Sequence, residues 1–273
     1  MRTVIHMEPE DDFRPVLRMI ESDIGIQSSN YKEDYLKRRV QSRMRMNEVH
    51  TYRDYLLLLR GNPPEQEALK NGLTINVTKF WRDPPVFDAI RRDIIPELRR
   101  RKKAIRIWSA GCATGEEPYT VAIIAHETSI MNKDLKFTIF ASDIDEEALM
   151  KAKEGVYHKK ALENLSNAQV RRHFTERTDG KFEVKPHLRG YVRFSRHDLM
   201  SGIPVTSHLD MVLCRNVTIY FTEHQKDELA RMVAPALTAG GHYVIGKTEY
   251  LSRDFERLYE PVNQMQKIYR KRA

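Results

Sequence analysis

The spacing of apolar side chains predicts helices through about residue 71. Apolar residues recur every three or four positions over residues 13–20, 36–44 and 52–59, which is the pattern of helices with one buried face. The third stripe ends at Gly61-Asn62-Pro63-Pro64, where glycine and proline are typical of a helix end. The N-terminal quarter of the chain is therefore predicted to be all-helical.

The rest of the chain alternates short apolar runs with helices. A short helix and a connector are predicted over residues 73–82, and a longer helix over residues 84–101. Strands are then predicted over residues 105–109, 137–142, 211–214 and 242–246, with helices over residues 119–128 and 223–237. This alternation indicates an α/β fold with a mostly parallel, doubly wound sheet.

Residues 155–194 interrupt the alternation. They contain a predicted helix over residues 167–174 and two short predicted strands over residues 182–184 and 191–194. We interpret this stretch as a small element inserted into the larger sheet domain.

Composition and charge limit the class of protein. Hydrophobic residues make up 41% of the sequence and charged residues 31%, which is typical of a globular chain. Acidic residues near the N-terminus argue against a signal peptide, and no apolar run approaches a membrane span, so a cytoplasmic protein without membrane insertion is predicted. The net charge of +8 favours nucleic acid, an anionic membrane or an acidic protein as partner, although solvated helix faces also explain it.

The two cysteines, Cys112 and Cys214, suggest neither a disulfide nor a metal site. Neither belongs to a CxxC motif or lies near a histidine cluster. We expect two buried thiols in a reducing compartment and no bound metal.

The stretch from residue 105 to Asp143 has the layout of a nucleotide-binding site: a strand, a turn of small residues, a helix, and a strand that ends in an acid. NAD enzymes and methyltransferases share this layout. Glu116 and Glu117 at the helix start would repel a pyrophosphate but suit S-adenosylmethionine, which carries an ammonium and a sulfonium; alternatively they only complement the helix dipole. Asp143 is predicted to accept ribose hydroxyls, or to cap the next helix.

Four segments resemble the chemotaxis receptor methyltransferase family (CheR type). They are IRIWSAGCATGEEPY at residues 105–119, FASDI at 140–144, LCRNVTIYF at 213–221 and NVTKFWR at 76–82. The resemblance covers nearly the whole chain. It implies a Rossmann-like, S-adenosylmethionine-dependent enzyme that forms methyl esters on receptor glutamates during chemotactic adaptation.

The resemblance also implies a domain plan. A helical N-terminal domain is placed at residues 1–72 and a linker that contributes to the cofactor site at residues 73–84. The methyltransferase domain is placed at residues 85–273, with a β-subdomain inserted at about residues 155–195.

Carried over by position, the resemblance assigns most of the site residues. The cofactor-binding residues would be Asn76, Thr78, Arg82, Gly111, Glu117, Asp143, Asp198, Leu199, Arg215 and Asn216. Of these, Asn76, Thr78 and Arg82 would close over the methionine part. The family has an Asn-Leu pair near the adenine where this sequence has Asp198 and Leu199, so an amide donor is missing there.

Arg82 and Tyr220 are the predicted catalytic residues. A glutamate acceptor is already ionised near neutral pH, with a reference pKa of about 4.3, so no general base is required. This agrees with a sequence that has no obvious Ser/His/Asp or Cys/His constellation. Arg82 would orient the carboxylate, and Tyr220 would exclude water beside the transferred methyl. Without the resemblance, a surface ion pair and a core aromatic residue would be the simpler interpretations.

Arg39, Arg43 and Arg45 lie in a basic helix that is predicted to dock on the acidic, cytoplasmic methylation helices of receptors, unless it is a solvated face. The loop over residues 175–181 is short and has one glycine, which predicts that no receptor C-terminal pentapeptide binds there. A monomer that does not bind nucleic acid is expected.

Two alternatives stay open from the sequence. One is a non-catalytic S-adenosylmethionine-binding signalling module of the same fold. The other, less favoured, is a nucleic-acid methyltransferase, which would usually carry a proline-aromatic motif that residues 215–221 lack.

Overall fold

The structure is a computed structural model that describes residues 12–73 and 78–272. Its contacts divide the chain into two units. The helical unit comprises Met1–Ile75 with Tyr220–Thr222, and the sheet unit comprises Asn76–Ile219 and Glu223–Ala273. The sequence-based plan places Tyr220 in the second domain, whereas its contacts group it with the first. The limits at residues 72 and 84 stay predictions.

Within the described residues, four α-helices form the helical unit. They are α1 (Arg14–Ser22), α2 (Glu33–Met46), α3 (Tyr52–Leu59) and α4 (Pro63–Leu73). The predicted apolar stripes face its core, where Val16, Leu36, Val40 and Leu59 are at most 1% exposed. Helix α4 begins at Pro63, because proline fits the first turn of a helix, where its missing N–H costs no hydrogen bond.

A buried ion pair joins α2 to α4. Arg43 donates to both carboxylate oxygens of Glu65, from Nε at 3.0 Å and from Nη2 at 2.5 Å. The Tyr55 hydroxyl donates to the same carboxylate at 2.7 Å. Burial raises the pKa of Glu65, but hydrogen bonds from Arg43, Tyr55 and Asn47 outweigh it and leave the pKa below its usual value. The guanidinium of Arg43 is thus held inside the helical unit, and only 18% of its side chain is exposed.

The sheet unit alternates strands and helices, as predicted. Its α-helices are α5 (Pro84–Ala89), α6 (Ile95–Arg101), α7 (Glu116–Met131), α8 (Glu146–Glu154), α9 (Asn167–His173), α10 (Pro186–Arg189), α11 (Glu223–Ala236) and α12 (Arg253–Glu256). Its strands are β1 (Ala104–Ala110), β2 (Lys136–Asp143), β3 (Val156–Tyr157), β4 (Phe174–Glu176), β5 (Phe182–Val184), β6 (Val192–Arg196), β7 (Leu209–Cys214), β8 (Leu237–Ile245), β9 (Tyr259–Asn263) and β10 (Ile268–Lys271). A π-helical turn at Ile90–Ile94 connects α5 to α6.

Seven strands form one sheet in the order β6-β2-β1-β7-β8-β10-β9. The first five are parallel, and β10 is antiparallel to both of its neighbours. The chain first builds outward from β1 through β2, then returns to add β7 on the other side of β1. Such a reversal leaves a crevice at the carboxyl ends of the strands, where ligands bind in doubly wound sheets. The predicted fold class is confirmed.

Two strand predictions need correction. Residues 191–194 were predicted as part of the insertion, but β6 pairs in parallel with β2 at the edge of the large sheet. The strand predicted over residues 242–246 begins earlier, at Leu237, and runs through Gly240, which has a φ of +70°. A register shift between Leu209 and Met211 accommodates this longer strand.

The predicted helix and connector over residues 73–82 also differ from the structure. Leu73 is the last residue of α4, and residues 78–82 are irregular, with a turn at Phe80 and Trp81, rather than helical. Residues 74–77 of this prediction, which include Asn76, lie outside the described residues. Among the helices that the structure describes, none is long and apolar enough to cross a membrane.

The insertion is a three-stranded antiparallel sheet in the order β3-β5-β4, with α9 preceding β4. A tight turn joins β4 to β5: the Arg177 amide donates to the Lys181 carbonyl at 2.8 Å, and Gly180 has a φ of +75°. Thr175 and Glu176 belong to β4, so this connection is shorter than the predicted loop over residues 175–181.

The Arg43–Glu65 pair predicts a difference between two arginines of the same helix. Arg43→Ala should lower the free energy of unfolding by about 3 kcal/mol, because it leaves a buried carboxylate without its cation. Arg45→Ala removes an exposed side chain of α2 and should change it by less than about 0.5 kcal/mol. Urea unfolding of both variants measures the difference.

The pH dependence provides a second check. The lowered pKa of Glu65 means that its contribution to stability is present above the unfolded-state pKa and is lost as the pH falls through the folded-state pKa. The difference in free energy of unfolding between Arg43→Ala and the parent protein should therefore become smaller as the pH falls. Equal losses in the two variants at neutral pH would contradict the structural role of Arg43.

Candidate functional site

The carboxyl ends of five parallel strands bring together most of the predicted site residues of the sheet unit. Gly111 follows β1, Asp143 ends β2, Asp198 follows β6 and Arg215 follows β7. Glu249 lies in the segment after β8. Because these strands are neighbours and parallel, their ends share one edge of the sheet.

The turn after β1 has no room for larger residues. Gly111 has a φ of +76°, and a Cβ added there would lie 2.5 Å from a methyl group of Val217. Gly115 has a φ of +93°, and an added Cβ would lie 2.8 Å from the Cβ of Ala152. Both glycines are therefore required by backbone conformation and by close approach.

The backbone donors of this turn are already used. Gly111 and Cys112 donate to the Ser142 carbonyl at 2.8 and 3.0 Å, and Ala113 donates to the Asp143 carboxylate at 2.8 Å. Gly115 donates to the Cys112 carbonyl at 3.0 Å. A pyrophosphate loop needs such amides for the ligand, so this arrangement disfavours a dinucleotide cofactor.

The two glutamates at the start of α7 have different surroundings. Glu116 accepts the Thr114 hydroxyl at 2.7 Å, and burial raises its pKa. Glu117 accepts the Ser109 hydroxyl at 2.8 Å and Arg215 at 3.2 Å. Burial raises the pKa of Glu117, although the neighbouring charges of Arg215 and Arg82 oppose the shift. Of the two, Glu117 is the one that belongs to the arginine network at the strand ends.

Arg215 is the centre of that network. Its guanidinium donates to Glu117, to the Asp83 carboxylate at 2.6 Å and to the Arg82 carbonyl at 3.1 Å, and it lies 5.1 Å from the centre of the Phe87 ring. Only 1% of its side chain is exposed. The Arg215 guanidinium thus connects Glu117 at the start of α7 to Asp83 in the segment before α5.

Arg82 is held between two residues in left-handed conformations. Trp81 has a φ of +53° and Asp83 a φ of +59°, which is unfavourable for residues with side chains. The Trp81 amide donates to the Thr120 hydroxyl at 3.1 Å, and its carbonyl accepts from Asn164 at 3.2 Å. These bonds, with the Asp83–Arg215 ion pair, fix the strained backbone on both sides of Arg82.

Asp143 does not cap the following helix. Its carboxylate accepts one backbone N–H on each oxygen, from Ala113 at 2.8 Å and Asp145 at 3.0 Å, and burial raises its pKa. Asp145 is the cap of α8, because its side chain accepts the Ala148 amide at 3.0 Å. Each Asp143 oxygen retains a lone pair, so the carboxylate can still accept hydroxyl groups.

A buried glutamate that was not predicted from the sequence shapes the loop after β7. Glu249 is 3% exposed and accepts the amides of Asn216 at 3.0 Å, Thr218 at 2.7 Å and Gly246 at 2.5 Å, together with the Thr218 hydroxyl at 2.9 Å. It holds Asn216 at a φ of +60°. The Asn216 Oδ1 atom is buried and has no hydrogen-bond partner among the described residues.

Other predicted residues are placed as follows. Asp198 is exposed and accepts the Met200 amide at 2.8 Å, while Leu199 is buried. The His197 amide donates to the Asp143 carbonyl at 2.9 Å, which brings this loop beside Asp143. Thr78 is half-buried. Asn76 lies outside the described residues.

Tyr220, Arg39 and Arg45 belong to the helical unit. The Tyr220 ring packs on Tyr35 with 4.6 Å between ring centres, and Arg39 lies 5.4 Å from the centre of the Tyr35 ring. Arg45 is exposed and Arg39 is half-buried. Arg43, predicted with them as a docking residue, is instead paired with the buried carboxylate of Glu65 on α4, which holds its guanidinium inside the helical unit.

Two family models match almost the whole chain. The description "CheR methyltransferase, SAM binding domain" covers residues 76–268, and "CheR methyltransferase, all-alpha domain" covers residues 11–74. The chain belongs to the CheR methyltransferase family. It is accordingly an S-adenosylmethionine-dependent methyltransferase of chemotaxis.

Two relatives named chemotaxis protein methyltransferase agree with this family. The chain is 31% identical over 243 residues to a chemotaxis protein methyltransferase of Listeria innocua, covering 89% of this chain and 91% of the relative. It is 34% identical over 246 residues to one of Escherichia coli, covering 88% and 84%. The crystal structure of the [4+2]-cyclase SpnF aligns at 17% identity with a TM-score of 0.37, over 62% of this chain and 46% of that one.

The site fits S-adenosylmethionine. Acidic side chains gather at this edge of the sheet, with Glu117 at the start of α7 and Asp143 at the end of β2, which suits a ligand whose methionine-sulfonium end has a net positive charge. Because Gly111 has no side chain, a ligand can lie close to the backbone of this turn. The Asn216 Oδ1 atom has no hydrogen-bond partner among the described residues and could accept a hydrogen bond from the ligand. In the part of the chain that the structure describes, no group of three His, Cys, Asp or Glu side chains is arranged to bind a metal.

Three residues of the site were not predicted from the sequence: Asp83, Ser109 and Glu249. Asp83 directly follows the NVTKFWR segment, and Ser109 lies within the segment that contains the glycine turn. Both could therefore have been found from the motifs that the sequence analysis identified. Glu249 lies in a segment without any motif, and only its four hydrogen bonds in the fold reveal it.

The Gly111 turn gives a prediction with a matched control. Gly111→Ala should abolish measurable S-adenosylhomocysteine binding, because the new methyl group must displace Val217 and the turn with it. Gly202→Ala introduces the same residue at a φ of +70° with nothing within 4 Å, and should cost only about 1 kcal/mol of stability. Calorimetric titration of both variants measures the binding. Equal affinities in the two variants would show that close approach at Gly111 is irrelevant to the cofactor.

Proposed function

We propose that the protein transfers the methyl group of S-adenosylmethionine to glutamate side chains of methyl-accepting chemotaxis receptors, forming glutamate methyl esters. The observation that carries the proposal is the fixed backbone of Arg82 beside the buried Arg215 network, in a chain of the CheR family. An arginine guanidinium is well suited to orient a carboxylate, since it donates two parallel hydrogen bonds. The relatives named chemotaxis protein methyltransferase support a receptor as the source of that carboxylate.

In this proposal the protein acts mainly by positioning. S-adenosylmethionine supplies an electrophilic methyl group on a positively charged sulfur. Arg82 orients the ionised glutamate for in-line attack, and Tyr220 contributes a hydroxyl and excludes water. A dry site favours the reaction because two charged reactants become neutral products.

The remaining site residues hold the cofactor. Glu117 contacts its positively charged end, and Asp143 accepts the ribose hydroxyls with its unused lone pairs. The methionine part contacts Asn76, Thr78 and Arg82, and the adenosine lies near Gly111, Asp198, Leu199, Arg215 and Asn216. The unpartnered Oδ1 atom of Asn216 supports a contact there.

The exposed face of α2 is the proposed docking surface for acidic methylation helices. Arg39 and Arg45 remain assigned to it, and Arg38 is exposed on the same helix. Arg43 is withdrawn from this surface because its charge is neutralised by Glu65. Complementary charge mainly increases the rate of encounter and selects the partner.

The insertion is proposed not to bind a receptor C-terminal pentapeptide. The turn between β4 and β5 spans only Arg177–Lys181. This connection therefore offers no free backbone of its own that could pair with an added peptide strand. Titration of the free pentapeptide tests this part: saturable micromolar binding would contradict it.

Transfer of labelled methyl to receptor-containing membranes tests the function. We expect label that is released by mild base, which identifies an ester, and loss of transfer in Arg82→Ala even at S-adenosylmethionine concentrations that saturate the variant. Base-stable label, or label in nucleic acid, would identify another acceptor. Cofactor binding without any transfer would instead support a non-catalytic signalling module.

Docking predicts a dependence on salt and on two arginines. Raising the ionic strength from about 0.05 to 0.5 M should weaken methylation, since the Debye length falls below the spacing of surface charges. Arg39→Glu with Arg45→Glu should raise the receptor KM while leaving cofactor affinity unchanged. Arg53→Glu with Arg60→Glu, at exposed arginines in α3 and directly after it, is the control with the same charge change. If the control has an equal effect, net charge rather than this surface governs docking.

A further inference from the structure

The helical unit holds the segment Tyr220–Thr222 by backbone pairing. The Lys32 amide donates to the Tyr220 carbonyl at 3.1 Å, and the Thr222 amide donates to the Asn30 carbonyl at 3.3 Å. Tyr31 and Phe221 form an antiparallel bridge between these two bonds. Residues 30–32, directly before α2, therefore form a short ladder with residues 220–222.

Aromatic contacts reinforce the ladder. Tyr35 packs on Tyr220 at 4.6 Å between ring centres, and Tyr31 meets Phe221 edge-on at 5.7 Å. Tyr35 is 4% exposed, and its hydroxyl donates to the Leu73 carbonyl at the end of α4. The Tyr35 ring, and with it the position of Tyr220, is thus fixed by the core of the helical unit.

We propose that Asn30–Lys32 and Tyr35 are positioning residues for Tyr220, which belongs to the same helical unit. This inference rests on the proposed catalytic role of Tyr220. The ladder fixes the backbone of Tyr220, and Tyr35 limits the orientations of its ring. Arg39 lies over the Tyr35 ring, and Tyr35 packs on Tyr220, so two side chains connect the proposed docking arginine to Tyr220.

The ladder has a bond that can be removed with little other change. Lys32 has a φ of −63° and a ψ of 128°, and Tyr31 has a φ of −117° and a ψ of 153°. These are the values that proline and the residue before it adopt without strain. Lys32→Pro therefore deletes the N–H that binds the Tyr220 carbonyl, and Lys32→Ala is the control that loses the same exposed side chain but keeps the N–H.

The test measures kcat, the KM for S-adenosylmethionine and the unfolding midpoint of the full chain, with receptor-containing membranes as acceptor. Lys32→Pro should lower kcat about tenfold, because small displacements of an aligned group are costly, while KM and the midpoint stay at the Lys32→Ala values. A purely structural ladder would instead lower the midpoint and leave kcat unchanged, which would overturn the proposal.

Two further variants keep the outcome decisive. Tyr35→Phe keeps the ring and should retain kcat, whereas Tyr35→Leu should lower it; equal kcat in both would contradict the role of the ring even if Lys32→Pro does not fold. Tyr220→Ala, which removes both the hydroxyl and the ring, separates the catalytic role of Tyr220 from the positioning role of the ladder. If it has normal turnover, the catalytic role of Tyr220 fails; if its turnover falls while that of Lys32→Pro does not, only the positioning role fails.

Discussion

The site depends on one buried cation. Arg215 follows the central strand β7 and binds two carboxylates that are distant in sequence, Glu117 on α7 and Asp83 before α5. With almost none of its side chain exposed, its desolvation is offset only if both partners stay in place. The glycine turn, the segment that carries Arg82 and the loop after β7 are therefore fixed relative to one another before any ligand binds.

Strain in the site is held by this network and its neighbours. Trp81, Asp83 and Asn216 all have positive φ values, and each lies next to a group proposed to contact the cofactor or the acceptor. The Trp81 amide donates to Thr120, the Asn216 amide donates to Glu249, and Asp83 accepts from Arg215, and these bonds hold the three conformations. Rigid backbone of this kind suits a reaction that requires alignment and exclusion of water rather than proton transfer.

Charge in the helical unit has two separate uses. Arg43 neutralises the buried carboxylate of Glu65 and stabilises the packing of α2 on α4. Arg39 and Arg45 of the same helix are the arginines proposed to contact a receptor. Between them, Tyr35 connects the core of this unit to Tyr220. The helix proposed as a docking surface, from its charge and the family resemblance, thus also stabilises the fold, and its Tyr35 contacts a proposed catalytic residue.

The sequence by itself determined the helical stripes, the alternating strands and the small-residue turn, because these depend on local periodicity and on backbone conformations that only glycine tolerates. It also made Glu117 and Asp143 candidates through the layout of a nucleotide-binding site, and Arg82 through the family resemblance, and these roles stay predictions. Only the tertiary structure decided that Arg43 turns inward, that β6 joins the large sheet, that Glu249 holds the loop after β7 and that Tyr220 packs with the helical unit. Each of these depends on a partner far away in the sequence, and local patterns record whether a residue is buried but not which residue it meets.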